Sequence, residues 1–219
     1  MTLLDDTFLA IDEHLAGARR SLTTAAGPIY LQTHCSPLLI EQLRAEQGLR
    51  AFARQPEREH GLLLKLARDN DAVLTLAYTP EGEIIGQVSL APVEGWWHEL
   101  KKTHEIAFEV SSNWRRMGIA RHLLDLVFEM VPLDDMIVLG MGLHWHWDMG
   151  GTELSPLNYR SMLERLCASY GFMEYLTSEP NINMHPANIF LARLGRTTEQ
   201  ETVSTFFNCL LRSDTLPGM

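Results

Sequence analysis

Apolar positions along the chain fall into helical and extended stretches that follow one another without long gaps. Between Leu3 and Arg20, Leu4, Phe8, Ile11 and Leu15 recur at helical spacing and predict an amphipathic helix lying on the body of a domain. Pro28 to Gln32 reads as a first short strand. Ser36-Pro37 supplies an N-cap and a first-turn proline for a helix running to about Gln47. A further helix fits Pro56 to Arg68, with Leu62, Leu63 and Leu66 on one side. Ala72–Tyr78 and Glu83–Ala91 are β-rich runs joined by Thr-Pro-Glu-Gly, a hairpin signature.

After a solvent-facing loop containing Trp96 and Trp97, His104–Val110 reads as another strand. Gly118 to Met130 carries Ile119, Leu123, Leu126, Val127 and Met130 on a helical stripe. Met136–Trp147 is apolar enough for a buried central strand. Ser155-Pro156 opens another helix, and Gly171 ends it as a C′ glycine. The stretches Phe172–Leu176 and Ala187–Leu194 predict two last strands, and Thr198 to Arg212 a terminal helix. With no internal repeat or linker, the order predicts one α/β (α+β) domain: a mixed central sheet with helices on both faces.

Composition narrows the function. The chain has 219 residues, 46% of them hydrophobic and 21% charged, which excludes disorder. No run approaches the ~18 apolar residues of a membrane helix, so no membrane association is expected. The first residues carry acids and no basic segment, unlike a secretory signal. Cys35, Cys167 and Cys209 are three, far apart and without a C-x-x-C pair. That pattern suits a reducing cytoplasm and offers neither a disulfide framework nor a zinc site. With 18 basic and 28 acidic residues the net charge is −10, which argues against nucleic acid as a partner. Only Lys65, Lys101 and Lys102 are lysines, and the acidic surface reads first as a means of solubility, with a basic or lysine-bearing partner as the alternative.

The chemistry concentrates between Glu109 and Leu124. A β-rich segment ends at Val110, and a tight loop with Arg115, Arg116, Gly118 and Ala120 passes straight into a helix. First-turn amides have no intrahelical acceptor, and the helix dipole adds positive character there, so the loop is an anion cradle. Gly118 and Ala120 let main chain approach a phosphate, and the two arginines supply guanidinium forks.

R-x-x-G-x-A (Arg115, Gly118, Ala120), five residues after a strand-ending valine, resembles the acyl-CoA pyrophosphate loop of the GNAT superfamily of N-acetyltransferases. The helix ending in Tyr170-Gly171-Phe172 resembles the closing segment of that fold. More narrowly, Trp145–Glu164, His185–Gly195 and Gly48–Glu57 are similar to the acetoin-utilisation protein acetyltransferases (AcuA). The resemblance implies a helical extension over residues 1–24, a GNAT domain over 25–196, and a C-terminal helix over 197–219 packed on it. It implies acetyl-CoA as cosubstrate with no metal, bound by Phe108, Val110, Arg115, Arg116, Met117, Gly118, Ile119 and Ala120. It implies further that the acceptor is a protein lysine, that of acetyl-CoA synthetase, acetylated in the cytoplasm by direct attack on the thioester. A small amine as acceptor, or a non-catalytic acetyl-CoA-sensing partner, are the rival readings.

A lysine amine with a pKa near 10.4 must lose a proton before it attacks, which asks for a positioned base. Many relatives carry a glutamate six residues before the strand-ending valine; here that position is His104. A histidine suits proton transfer, and His104 ranks first as base, with Glu109 and Glu105 behind it. A backbone amide near Phe108 to Val110 is the family's oxyanion donor. Where many members place an acidic tyrosine this chain has Cys167, so Tyr159 is the substitute, and Tyr170 fits packing as well. Arg116 stands where glycine is common, so the loop is expected to differ locally.

His144, His146 and Asp148 alternate along a strand as a metal triad would, but the resemblance gives no metal there. Trp145, His146, Trp147 and Asp148 are expected to line the substrate cleft, with His185 shaping the substrate side. Gly140 and Gly142 lie inside a strand and make only a weak dinucleotide fingerprint.

Overall fold

The computed structural model describes residues 18–150 and 152–212. Where one domain is expected, the chain divides into two compact units. Among described residues the first holds 18–89 and 108–130, and the second 90–107 and 131–212. Two strands, β5 (Glu83–Pro92) and β6 (Thr103–Val110), belong in part to each.

In the first unit β1 (Arg19–Thr24) and β2 (Gly27–Gln32) form an antiparallel hairpin, Arg19 opposite Gln32 and Thr24 opposite Gly27. Gly27 takes φ +124° at the turn, a backbone state that favours glycine. Strand order runs β1, β2, β4 (Val73–Tyr78), β5, with β3 (Arg44–Ala45) parallel to β5. Helices α1 (Pro37–Gln42) and α2 (Pro56–Ala67) close over a core that includes Leu39, Ile40, Leu49, Leu63, Leu74, Leu76, Tyr78 and Ile84. Helix α3 (Ile119–Met130) buries Ile119, Leu123, Leu126 and Val127 of the stripe read from the sequence, together with Leu124, while Met130 at its end is exposed.

Two expectations change here. The predicted N-terminal helix lies almost wholly outside the described residues, and Arg19 and Arg20 at its predicted end belong to β1, bonded along β2. Helix α1 starts as expected, with Ser36 Oγ accepting from Leu39 N, but stops at Gln42 rather than near Gln47. Leu43 is already extended there, because Arg44 and Ala45 pair with Glu83 and Ile84 and that pairing takes the chain out of the helix.

The second unit has the strand order β6, β7 (Ile137–Gly142), β9 (Ile189–Leu194), β8 (Met173–Glu174). Parallel pairing of β6 with β7 spans Thr103–Glu105 against Ile137–Leu139, while both strands run on past it. Strands β7 and β9 are antiparallel over their whole length. Helices α4 (Pro156–Ala168), α5 (Pro180–Asn183) and α6 (Gln200–Leu210) complete the unit. Gly171, at φ +82°, follows α4 as the predicted C′ glycine.

The loop expected to expose Trp96 and Trp97 does the reverse. Trp97 is buried and stacks on Phe190 with ring centroids 4.6 Å apart, beside Phe206, Ile137 and Leu139. Trp96 donates its indole N–H to Cys209 O at 2.9 Å. The predicted strand Met136–Trp147 ends at Gly142, because its partner β9 begins opposite that residue. The next free main-chain donor, His144 N, is taken by Asn188 Oδ1 at 2.8 Å, and the chain turns through a 3₁₀ segment at His144–His146. Among the described residues no helix is long and apolar enough to cross a membrane.

Candidate active site

The turn from Arg115 to Ala120, expected to act as a cradle, lies in the first unit. Val110 closes β6, Ser111 Oγ accepts from Asn113 N at 3.2 Å, and the main chain turns through Ser112–Trp114 before α3 begins. Gly118, at φ +76°, offers its carbonyl to His122 N at 3.1 Å, which makes it the residue that launches the helix. Ile119, Ala120 and Arg121 therefore present first-turn amides with no acceptor inside α3. A Cβ on Gly118 would touch only the His122 ring, at 3.8 Å, so the space over the turn is open.

Arg116 sits at φ +64°, a left-handed state uncommon for a side-chain-bearing residue. The loop therefore keeps the backbone path expected of glycine and forces the arginine to follow it. Arg116 is exposed, Arg115 and Met117 are half-buried, and Ile119 is buried beneath the turn. Phe108 and Val110 are half-buried on β6.

The turn is braced from residues 46–54. Glu46 accepts from Ser111 Oγ through a short contact, from Asn113 Nδ2 at 2.8 Å and from Gly48 N at 2.8 Å. Burial works against its charge, yet these bonds hold its carboxyl below the usual range. Glu109, expected among the bases, is committed elsewhere: its Oε1 accepts from Arg50 N at 2.7 Å and Ala51 N at 2.8 Å. Burial and the neighbouring Glu59 carboxyl push it up to about 8, so it holds a proton at neutral pH.

In the second unit β6 carries the other two base candidates. His104, half-buried, pairs with Val138 in the ladder. Glu105 is partly buried, and burial followed by the negative charges of Glu179 and Glu94 raises its pKa to about 7. A carboxyl poised there accepts a proton far more readily than an ordinary glutamate.

The expected substrate residues also gather in this unit. Trp147 stacks on Tyr159 of α4 with centroids 5.0 Å apart, which ties a candidate acid to the aromatic run. His144 meets Trp145 edge-on at 5.3 Å, and Trp145 meets His146 at 5.9 Å. Asp148 Oδ1 accepts from Gly150 N at 3.0 Å. His185 stacks flat on His144 at 3.8 Å. The 3₁₀ turn removes the strand alternation behind a His144–His146–Asp148 triad, and among described residues no group of three or more ligand side chains is placed for a metal.

Asn188, in the His185–Asn188 stretch expected to shape the substrate side, organises this corner. Its Nδ2 donates to Asn181 O at 2.7 Å, so its Oδ1 is the atom facing His144 N and Nδ1. An acceptor there requires His144 to carry its hydrogen on Nδ1, while His185 Nδ1 accepts from Ala187 N at 3.1 Å. His185 and Asn188 also line an open cleft of about 320 Å³ with Tyr175, Ile182 and Phe190. The three cysteines are free and buried; burial lifts Cys35 to about 12 and Cys167 to about 11, which leaves these two as unreactive thiols.

Residues 38–138 match the Acetyltransferase (GNAT) family. Over 90% of its length the chain is 27% identical to the acetoin utilization protein AcuA of Bacillus subtilis, covering 95% of that protein. The Bacillus licheniformis AcuA is 26% identical over the same shares. The crystal structure of an acetoin utilization protein from Exiguobacterium sibiricum superposes with TM-score 0.83 at 27% identity, over 91% of this chain and 97% of that one. The chain is thus similar to GNAT acetyltransferases, over residues 38–138 by family and over most of its length through the AcuA proteins.

Acetyl-CoA is the cosubstrate of GNAT acetyltransferases, and the cradle tests well for it. The open turn at Gly118, the unshared amides of α3 and the paired arginines make a donor set for a diphosphate. What sequence reasoning missed is the bracing: Glu46 and Glu59 act across long chain separations. Only the Gly48–Glu57 similarity pointed at the segment that both hold.

Proposed function

We propose that this enzyme transfers the acetyl group of acetyl-CoA to a lysine side chain of a protein, with acetyl-CoA synthetase as that protein. The observation that carries the acyl-donor half is Gly118 at φ +76°, opening α3 at the end of the turn that follows β6. The acceptor half is supported by the likeness to AcuA proteins over 90% of the chain.

Acetyl-CoA supplies an acyl group already activated as a thioester. In our reading the amides of Ile119 and Ala120, with Arg115 and Arg116, hold its diphosphate, and Met117 shapes the turn between them. A main-chain amide of Phe108 to Val110 polarises the acyl carbonyl. Glu105 takes the proton from the lysine ammonium. It displaces His104 as first choice because its burial among like charges brings it near pH 7. Tyr159 gives its proton to the departing thiolate and regains one from the attacking nitrogen, which sheds its second hydrogen as the amide forms. Trp145, His146, Trp147, Asp148 and His185 receive the acceptor. Attack is direct, so no cysteine is needed as a nucleophile.

Purified acetyl-CoA synthetase mixed with this enzyme and acetyl-CoA is expected to release free thiol, with one acetyl-lysine recovered by mass spectrometry. Thermal stabilisation by acetyl-CoA without thiol release would leave a binding protein in place of an enzyme acting on this acceptor. Thiol release with a small amine but not with the synthetase would move the acceptor class.

A further inference from the structure

Residues 46–54 meet two buried carboxyls of the first unit, Glu59 and Glu109, that acetyl transfer as described above leaves unused. Three carboxyls hold this strap. Glu46 ties its start to Ser111 and Asn113, Glu109 Oε1 holds Arg50 N and Ala51 N, and Glu59 Oε2 accepts from Ala53 N at 2.7 Å. Gly48 lies so close to Ser111 and Ser112 that a Cβ there would overlap them, and its carbonyl accepts from Ser112 N at 3.2 Å. Strap and cradle turn are thus one packed piece.

Glu59, 1% exposed, and Glu109, 8% exposed, stand within hydrogen-bonding reach of each other. Glu109 Oε2 is buried, and among the described residues no donor is directed at it. Ionised carboxylates only accept, so two that face each other out of water can bond only through a proton held between them. Among the described residues the ionisable side chain that acts on Glu109 is Glu59; the strap contributes main-chain amides, and His60, next along α2, turns its Nε2 to Ile40 O at 2.8 Å.

We propose that Glu59 and Glu109 form a one-proton clamp that fixes residues 50–53 and so positions the main chain of Glu109–Ser111 at the mouth of the cradle, which makes Glu59 a positioning residue for acetyl-CoA binding. The clamp rests on the cradle reading given above. When the proton leaves, two buried like charges face each other, and the strap is the part free to yield. Acetyl-CoA affinity then falls with rising pH for a reason that lies outside the diphosphate site itself.

Acetyl-CoA Kd measured by calorimetry on the full chain between pH 6 and 10 tests this. For the wild type, Kd is expected to rise above the pH at which the pair ionises, by up to about tenfold per pH unit where coupling is complete. Glu59→Gln replaces the shared proton with an amide N–H directed at Glu109 and keeps an oxygen for Ala53 N, so its Kd is expected to stay flat. A Glu59→Gln profile that still rises like the wild type, or a flat wild-type profile, overturns the clamp. Should that variant fail to fold, infrared spectroscopy at pH 7 decides in a Glu105→Gln background. There the clamp requires a protonated carboxyl band that Glu109→Gln abolishes, and its absence overturns the proposal. Gly118→Val separates the two readings. Unchanged acetyl-CoA binding in that variant sinks the cradle, whereas lost binding beside a persistent alkaline rise in Glu59→Gln sinks the clamp alone.

Discussion

Glu105 shows how one side chain is tuned by neighbours that share no sequence motif with it. Glu94 precedes the 3₁₀ turn at Gly95–Trp97, and Glu179 caps α5 by accepting from Ile182 N at 2.8 Å. Both add negative charge to a carboxyl that burial has already discouraged from ionising, and the result is a group near pH 7. If Glu105 is the base, the logarithm of the acetyl-transfer rate climbs with pH up to about 7 and then levels. Glu105→Gln is expected to remove that climb and slow transfer by roughly 10²–10⁴-fold. His104→Ala is expected to leave the climb in place. Thiol release followed across pH for both variants decides, and a climb that survives in Glu105→Gln hands the role back to His104. The sequence ranked these two in the opposite order because it sees position along β6 but not the charges that fold against it.

The turn between β6 and α3 has a cost written into it. Arg116 at φ +64° holds a conformation that is worth about 1–2 kcal/mol to avoid for a residue with a Cβ. Arg116→Gly is therefore expected to stabilise the protein by about 1 kcal/mol while weakening acetyl-CoA binding through loss of a guanidinium. Arg116→Ala keeps the strain, so it is expected to lose the binding without the stability gain. Urea midpoints and acetyl-CoA Kd values for the pair check this, and equal midpoints would remove the strain argument. Elements such as this turn were legible because their signals are local: Ser36-Pro37, Ser155-Pro156, Gly171 and the Arg115–Ala120 spacing each act within one turn of chain. Where β7 ends and where α1 stops were not, since β9 and β5 decide them from 47 and 39 residues away in the paired registers Gly142–Ile189 and Arg44–Glu83. The same holds for the Glu46–Ser111 brace, 65 residues apart.

At the scale of the whole molecule, carboxyls displaced in opposite directions set a pH window for stability. Glu105 and Glu109 are raised from 4.5 to about 7 and about 8, so each binds its proton more tightly folded than unfolded. Their contribution is complete below pH 4.5 and is lost as pH rises to 7 and 8. Glu46 is lowered, as are Glu129 and Asp134 beside Arg20, Arg193 and Arg196, and their contribution runs the other way: present above their unfolded values and lost in acid. The net charge of −10 adds self-repulsion that deepens as remaining protons leave. Melting temperature is therefore expected to peak on the acid side of neutrality and to decline from about pH 5 to 8, unlike a protein whose carboxylates are all stabilised as anions. Glutamine at 105 or 109 is neutral at every pH, so either substitution should flatten that decline by its own share, and the double substitution by more than either. Thermal melts in matched ionic strength from pH 4 to 9 measure it. A wild-type melting temperature that rises steadily from pH 5 to 8 would mean that both side chains ionise freely in the folded state, and with that the physical basis for Glu105 as base and for the Glu59–Glu109 clamp would go together.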